Sequence, residues 1–225
     1  MRAAVNKVFL DLAGKSILEW SLSLFERASQ VTAVVVVAQP GDIGTCQALR
    51  TRYPKLLGVV PCGVLRHRSE FAGVAALSGP IDSGEVDAIL VHDAARPFAT
   101  TGLVDRLLDG VAGVEGCVPG LPVPPHTVVA QAGFIAAYPA GLWSVQTPQV
   151  ADATWLLEAH NKAARAAFAG TDTASVIEWA GGQVRVIEGE SDNIKITTPD
   201  DLGPAREIAG RRYTSTTENG LDKKG

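Results

Sequence analysis

Ser16-Ile-Leu-Glu-Trp-Ser-Leu-Ser-Leu-Phe-Glu-Arg-Ala-Ser-Gln-Val-Thr-Ala-Val-Val-Val-Val-Ala-Gln-Pro-Gly41 reads as one helix followed by one buried strand. Ser16 and Glu19 stand at the spacing of a capping box, in which hydroxyl and carboxylate each serve a free backbone donor of the other. Behind them Ile17, Leu18, Leu22 and Phe25 recur at helical spacing, which predicts a helix over 17–28. Residues 31–38 form a continuous apolar run, the signature of a strand covered on both faces, and Pro40-Gly41 ends it. One such pair is an αβ unit. Repeated along a chain it becomes a fold.

The rhythm does repeat. Helices are expected over 43–52, 69–77 and 101–111, with strands over 56–60, 88–92 and 116–123. After Pro122-Val-Pro-Pro125 the stretch 128–144 is β-prone and holds Gly133, Pro139 and Gly141, so a hairpin excursion outside the main sheet is expected. Helices over 152–169 and 171–180 follow, then short strands over 183–188 and 193–197. Thr198 as cap and Pro199 at the first helical position open a last helix, and the polar tail after Arg211 is expected to fray. The alternation predicts an α/β fold: a doubly wound, mostly parallel sheet with helices on both faces and right-handed crossovers, plus a protruding β-arm near 124–145. A single domain over 1–210 and a flexible tail over 211–225 complete the expectation.

Composition narrows the function classes. The 225 residues are 46% hydrophobic and 20% charged, which argues against disorder and against a coiled coil. A formal charge of −4 leaves no global basic field for nucleic acid. No apolar run approaches the roughly 20 residues that span a bilayer, so no membrane association is expected. Cys46, Cys62 and Cys117 are few, odd in number and not at metal spacing, which reads as reduced thiols in a cytoplasmic protein.

Four polar clusters could carry chemistry. His92-Asp93-Ala94-Ala95-Arg96-Pro97 lies at the expected carboxyl end of a buried strand, where open α/β sheets bind ligands and small side chains admit them to the backbone. Gly63-Val-Leu-Arg66-His-Arg68-Ser69 precedes a helix, where backbone donors can meet an anion. Gln146-Thr-Pro-Gln149 offers a hydroxyl and amides. Lys195 alternates with Ile194 and Ile196 and so faces away from them, inward to an anion or outward to water. Taken singly, each reads equally as a cap, a brace or a solvated turn. Oddly for a nucleotide-binding sheet, no glycine-rich turn follows a first strand, because Met1 stands almost directly before the first helix.

In combination and in this order, the clusters resemble the 2-C-methyl-D-erythritol 4-phosphate cytidylyltransferase family. The resemblance rests on Asn6-Lys7 with Leu12-Ala-Gly-Lys-Ser-Ile-Leu-Glu19, on Gly63, Arg66, Ser69 and Gly73, and on Val91-His-Asp-Ala-Ala-Arg-Pro-Phe98. Leu142-Trp143, Gln146-Thr-Pro-Gln149, Thr171-Asp172 and Asn193-Ile-Lys-Ile-Thr-Thr-Pro199 extend it. It implies transfer of CMP from CTP to a sugar-alcohol phosphate with Mg²⁺, releasing pyrophosphate, on a Rossmann-like nucleotidyltransferase fold. By resemblance Lys7 contacts the triphosphate and Lys195 stabilises the transition state. Gly63 and Ser69 hold the cytosine and Ala94 packs near the ribose. Asp93, Arg96, Thr127 and Thr147 serve the acceptor, with Asp93 also the candidate for the Mg²⁺ shell. The arm implies a homodimer.

The departures are equally specific. The family opens with a strand and a Gly-x-Gly-x-Arg-x-Gly loop ahead of its lysine, and both read as missing before Lys7. Losing a central strand predicts an exposed sheet edge, a smaller core and weak or absent turnover. Charged family positions are Val64, Pro139 and Thr173 here, and the family's Asp-Thr-x-Lys segment reads Pro125-His-Thr-Val-Val129, without its aspartate and lysine. Two alternatives stay open on these grounds: a cytidylyltransferase for another polyol phosphate such as ribitol 5-phosphate, and a non-catalytic relative that keeps the fold.

Overall fold

The structure is a computed structural model and describes residues 6–221, with side chains to Arg212. The reading of residues 1–5 as the inside of a phosphate loop lies outside the described residues. A one-turn 3₁₀ helix, Lys7–Phe9, is capped by the Asn6 side chain and leads into a small hairpin of β1 (Asp11–Leu12) and β2 (Lys15–Ser16). The capping box forms as expected: Ser16 N–H donates to Glu19 and Glu19 N–H to the Ser16 hydroxyl, and α1 (Ile17–Arg27) begins there. Then come β3 (Val34–Ala38), α2 (Ile43–Ala48), β4 (Leu56–Pro61), α3 (Arg66–Ala75), α4 (Ser78–Asp82) and β5 (Ala88–Val91). The second half runs α5 (Thr101–Gly110), β6 (Gly116–Pro122), β7 (Val129–Gln131), β8 (Phe134–Ala137), β9 (Trp143–Val145) and β10 (Gln149–Asp152). It ends with α6 (Ala153–Arg165), α7 (Thr173–Ala180), β11 (Val184–Glu188) and α8 (Leu202–Leu221).

The architecture is the expected α/β one. Helices α1 and α5 cover one face, burying Leu24, Phe25, Leu103 and Leu107 against Cys117 and Val150. On the other face α3, α4, α6 and α7 bury Val74, Ile81, Leu156 and Ile177 against Ile89 and Ala151. The main sheet has the order β11-β6-β10-β5, with β9 continuing along β6. Its β11–β6 ladder is parallel, but β10 runs antiparallel to both β5 and β6. Strand β10 carries no signal of its own, because Gln149-Val-Ala-Asp152 is too short to show a period and merges into the helix that Asp152 caps. The arm is present as the β7–β8 hairpin, which exposes Val129, Phe134, Ile135 and Tyr138.

Three other expectations are corrected. Helix α3 begins at Arg66 rather than Ser69, so Ser69 sits within the first turn and Leu65 occupies the cap position. Residues 193–197 form no strand; Asn193 and Ile196 are buried in a loop whose Ile196 N–H donates to the Ala95 carbonyl. Helix α6 stops at Arg165, since Ala167 takes a left-handed φ of 52°. As expected, Thr198 and Pro199 open the last helical segment, and α8 follows over Leu202–Leu221.

The division of the sheet positions the site. Strand β3 pairs only with β4, and β5 only with β10, so the sheet is divided into two parts among the described residues. The carboxyl ends of β3, β4 and β5 point the same way, because Cys62 N–H reaches the Ala38 carbonyl and Arg66 reaches Asp93. Between the facing edges of β3 and β5 lies a cleft of about 510 Å³, lined by Val34–Val37, Ile89–Val91 and apolar side chains of α1 and α3. The four valines of β3 are only half-buried, although their run reads as fully covered. Among the described residues, the facing edges of β3 and β5 form the walls of this groove.

Candidate functional site

The cleft opens at its carboxyl end onto Cys62, Arg66, Ser69, Asp93 and Ala94. Asp93 is the centre of this group. One carboxylate oxygen accepts from Lys195 Nζ at 2.6 Å, the other from Arg66 Nη2 at 3.1 Å. Burial pushes the Asp93 carboxyl up, but the two cations outweigh it and hold the group below the ordinary carboxylate range. Lys195 comes from the loop after Asn193, with Ile196 buried behind it, so the alternation read from the sequence is real although the strand is not. With 41% of its side chain exposed, Lys195 is free to turn from Asp93 to an arriving anion.

The backbone around Asp93 is fixed by a chain of directional bonds. His92 Nε2 lies 3.0 Å from the Arg96 carbonyl, which can only accept, so Nε2 carries the hydrogen. Nδ1 is then an acceptor, and the Thr147 hydroxyl at 3.2 Å donates to it. The same hydroxyl accepts from Asp93 N–H at 3.0 Å. This requires a neutral imidazole, and burial provides one by pushing the His92 pKa down to about 4. Both ring nitrogens are committed, so His92 positions Asp93 and has no lone pair for general-base work.

The linkage has a measurable sign. In the unfolded chain His92 takes up its proton near pH 6.5, in the fold only near 4, so acid favours the unfolded state throughout that window. Stability should fall as pH drops from 6.5 to 4, and further below about 4 as Asp93 loses its charge. Urea unfolding at pH 7 and pH 5 checks this. The His92→Gln variant should show a shallower fall over that interval, and an equal slope would contradict the assignment.

Arg96 and the Gln146–Gln149 segment prove to be braces. Arg96 donates to the carbonyls of Asn193 at 2.8 Å and Val145 at 3.4 Å, which anchors the loop that carries Lys195. Buried Gln146 bridges Glu190 and Asn193, while Gln149 ties Asp172 to Ala174 N–H at the start of α7. Gly63 lies against the first turn of α3, where a Cβ would collide with Arg68, and its N–H donates to the Ser69 hydroxyl at 3.1 Å. Ala94 packs against the same buried cluster, around Leu18, Leu22 and Leu49, as Val8 and Phe9, the two residues that follow Lys7. Thr127 lies apart, in the loop at the base of the arm, with its N–H donating to the Pro124 carbonyl. Arg66 stands in the Gly63–Ser69 motif, but sequence reasoning assigns it no role; its place at the first position of a helix after a glycine turn is the available signal.

Among the described residues no group of three or more potential ligands could hold a metal ion. Asp93 supplies one carboxylate with both oxygens already paired, which does not fit a protein-built cation site. No helix of the described residues is long and apolar enough to cross a membrane.

A cation-bound carboxylate at the carboxyl end of β5, beside a tight glycine turn, stands where open α/β sheets bind their ligands. The family model for 2-C-methyl-D-erythritol 4-phosphate cytidylyltransferase matches residues 1–211. The enzyme of that name from Halalkalibacterium halodurans is 38% identical over 206 residues, 90% of this chain and 88% of the relative. The chain belongs to this family. The solved cytidylyltransferase of Thermus thermophilus superposes with a TM-score of 0.70 at 34% identity, covering 92% of this chain and 95% of that one. The corresponding synthase of Anaerococcus prevotii, at 22% identity, shares the fold with a TM-score of 0.80 over 89% of this chain and 91% of its own.

Proposed function

We propose that this chain transfers the cytidylyl group of CTP to 2-C-methyl-D-erythritol 4-phosphate. A phosphate oxygen of the acceptor attacks the α-phosphorus, the bond from that phosphorus to the oxygen bridging the β-phosphate breaks, and pyrophosphate leaves. The attacking phosphate is already anionic, so the reaction needs no strong base; positioning and charge neutralisation suffice. The observation that carries the reading is the Lys195–Asp93–Arg66 array beside the Gly63–Ser69 turn. It supplies a mobile ammonium at Lys195, a guanidinium at Arg66 and no free general base.

Lys195 stabilises the charge that builds on the α-phosphate, and Lys7 contacts the triphosphate. Gly63 and Ser69 hold the cytosine and Ala94 borders the ribose. Asp93 orients the acceptor's hydroxyls, Thr147 serves the acceptor through Asp93 N–H, and Arg96 through the loop it anchors. Mg²⁺ arrives as part of the nucleotide substrate, held by its phosphates. The exposed apolar arm pairs two copies into a homodimer and carries Thr127 toward the partner's acceptor, in the cytoplasm.

The test is pyrophosphate release with CTP, Mg²⁺ and a panel of polyol phosphates. Release is expected to be weak, to depend on CTP and to be fastest with methylerythritol phosphate. Faster release with ribitol 5-phosphate would reassign the acceptor, and none with any acceptor would overturn the reading.

A further inference from the structure

Beneath the site lies a buried charge that the proposed reaction does not use. Glu70, on α3, is 8% exposed, and His160, on α6, is fully buried. His160 Nε2 stands 3.2 Å from Glu70 Oε1, with Phe71 stacked on the same imidazole at 5.5 Å between centroids. The other Glu70 oxygen faces Arg66 Nη1 at 3.9 Å, one helical turn back. Arg66 in turn reaches Asp93, and Asp93 reaches Lys195. A buried carboxylate is costly unless paired, and this one has two partners and both lie on a line toward the site. His67 packs 5.0 Å from the His160 ring but offers Glu70 no bond, since neither of its ring nitrogens has a partner.

We propose that Glu70 is a positioning residue that acts on the reaction through Arg66. Arg66 is a long side chain at a helix start and 38% exposed, so nothing apolar fixes its rotamer. Two carboxylates, Glu70 below and Asp93 above, restrict the guanidinium to one orientation, and the Thr171 carbonyl at 3.4 Å completes the frame. His160 holds Glu70 from α6, so the acceptor side of the site is braced from the opposite side of the α3–α6 contact. The kinetic consequence is specific. Loss of the Glu70 charge leaves Asp93 with a loosely held partner, which weakens the acceptor's site and spares the cytosine turn.

The kinetic part rests on the cytidylyl-transfer reading, and a spectroscopic part does not. Glu70→Gln keeps the shape and removes the charge. It should raise KM for the polyol phosphate about tenfold, with KM for CTP and kcat changed less than about twofold. Glu70→Asp should recover part of the loss. In an Arg66→Ala background the same Glu70→Gln change should have no further effect, because a residue acting only through Arg66 cannot act without it. A Glu70→Gln effect of equal size in both backgrounds, or a general fall in kcat, overturns the proposal. Independently of turnover, ¹⁵N spectra should show slowed rotation of the Arg66 guanidinium in the unsubstituted chain and free rotation in Glu70→Gln. Identical Arg66 signals in the two proteins would overturn it even where no reaction is detected.

Discussion

Replacing Lys195 by alanine lowers CTP-dependent pyrophosphate release by a factor of about 10² or more, relative to the unsubstituted chain assayed in the same form. The effect is electrostatic. In the resting structure the Lys195 ammonium is neutralised by Asp93 at 2.6 Å, and Arg66 shares the same carboxylate. When a nucleotide phosphate arrives, Lys195 can exchange one anion for another at little cost, since Arg66 still pairs Asp93. As the α-phosphorus becomes five-coordinate, negative charge gathers on its equatorial oxygens, and a mobile ammonium follows it. The alanine variant should therefore lose kcat more than affinity for CTP. Lys195→Arg keeps the charge but places it on a larger planar group and should recover only part of the rate. Steady-state kinetics with both substrates varied would decide the matter. Normal kcat in Lys195→Ala would remove this lysine from the mechanism.

How far the sequence foretells this site depends on the kind of signal each residue gives. Asp93 is legible because a buried apolar strand ends at Val91 and the next residues are polar and small, which is a local pattern. Lys195 is legible for a different reason. Its alternation with Ile194 and Ile196 sets its direction, and direction survives even though the segment is a loop. What pairs with what is not legible, because Arg66 and Lys195 lie 27 and 102 residues from Asp93 and no periodicity encodes a distant partner. Gln146 looks like a ligand-binding amide and is a brace, since its partners Glu190 and Asn193 come from beyond α7. Among the elements, the long amphipathic helices are legible to within a few residues. The antiparallel β10 and the break between β3 and β5 are not, being properties of neighbours rather than of a segment.

That break leads to the second large effect. Joining an extended segment of about five branched apolar residues and a glycine-rich linker ahead of residue 1 should raise the unfolding temperature by about 10 °C. Strand β3 presents one edge to β4, and β5 presents one to β10, so each has a second row of backbone donors and acceptors facing the cleft. Because β3 and β5 run the same way, a strand parallel to both can bond each edge at once. Roughly five branched side chains buried there are worth about 1.5–3 kcal/mol each, and new ladder bonds about 1 kcal/mol apiece. Ordering the segment costs about 1–2 kcal/mol per residue, with side-chain losses on top. The net is a few kcal/mol, and a chain of this size gains about 2–4 °C for each. The amides of Val35–Val37 and Ile89–Val91 should gain protection from hydrogen exchange at the same time, while those of β11 should not change. A fusion of equal length made of glycine and serine should do neither. If both fusions behave alike, the cleft does not take a strand, and the two parts of the sheet are held in place by the helices that cross between them.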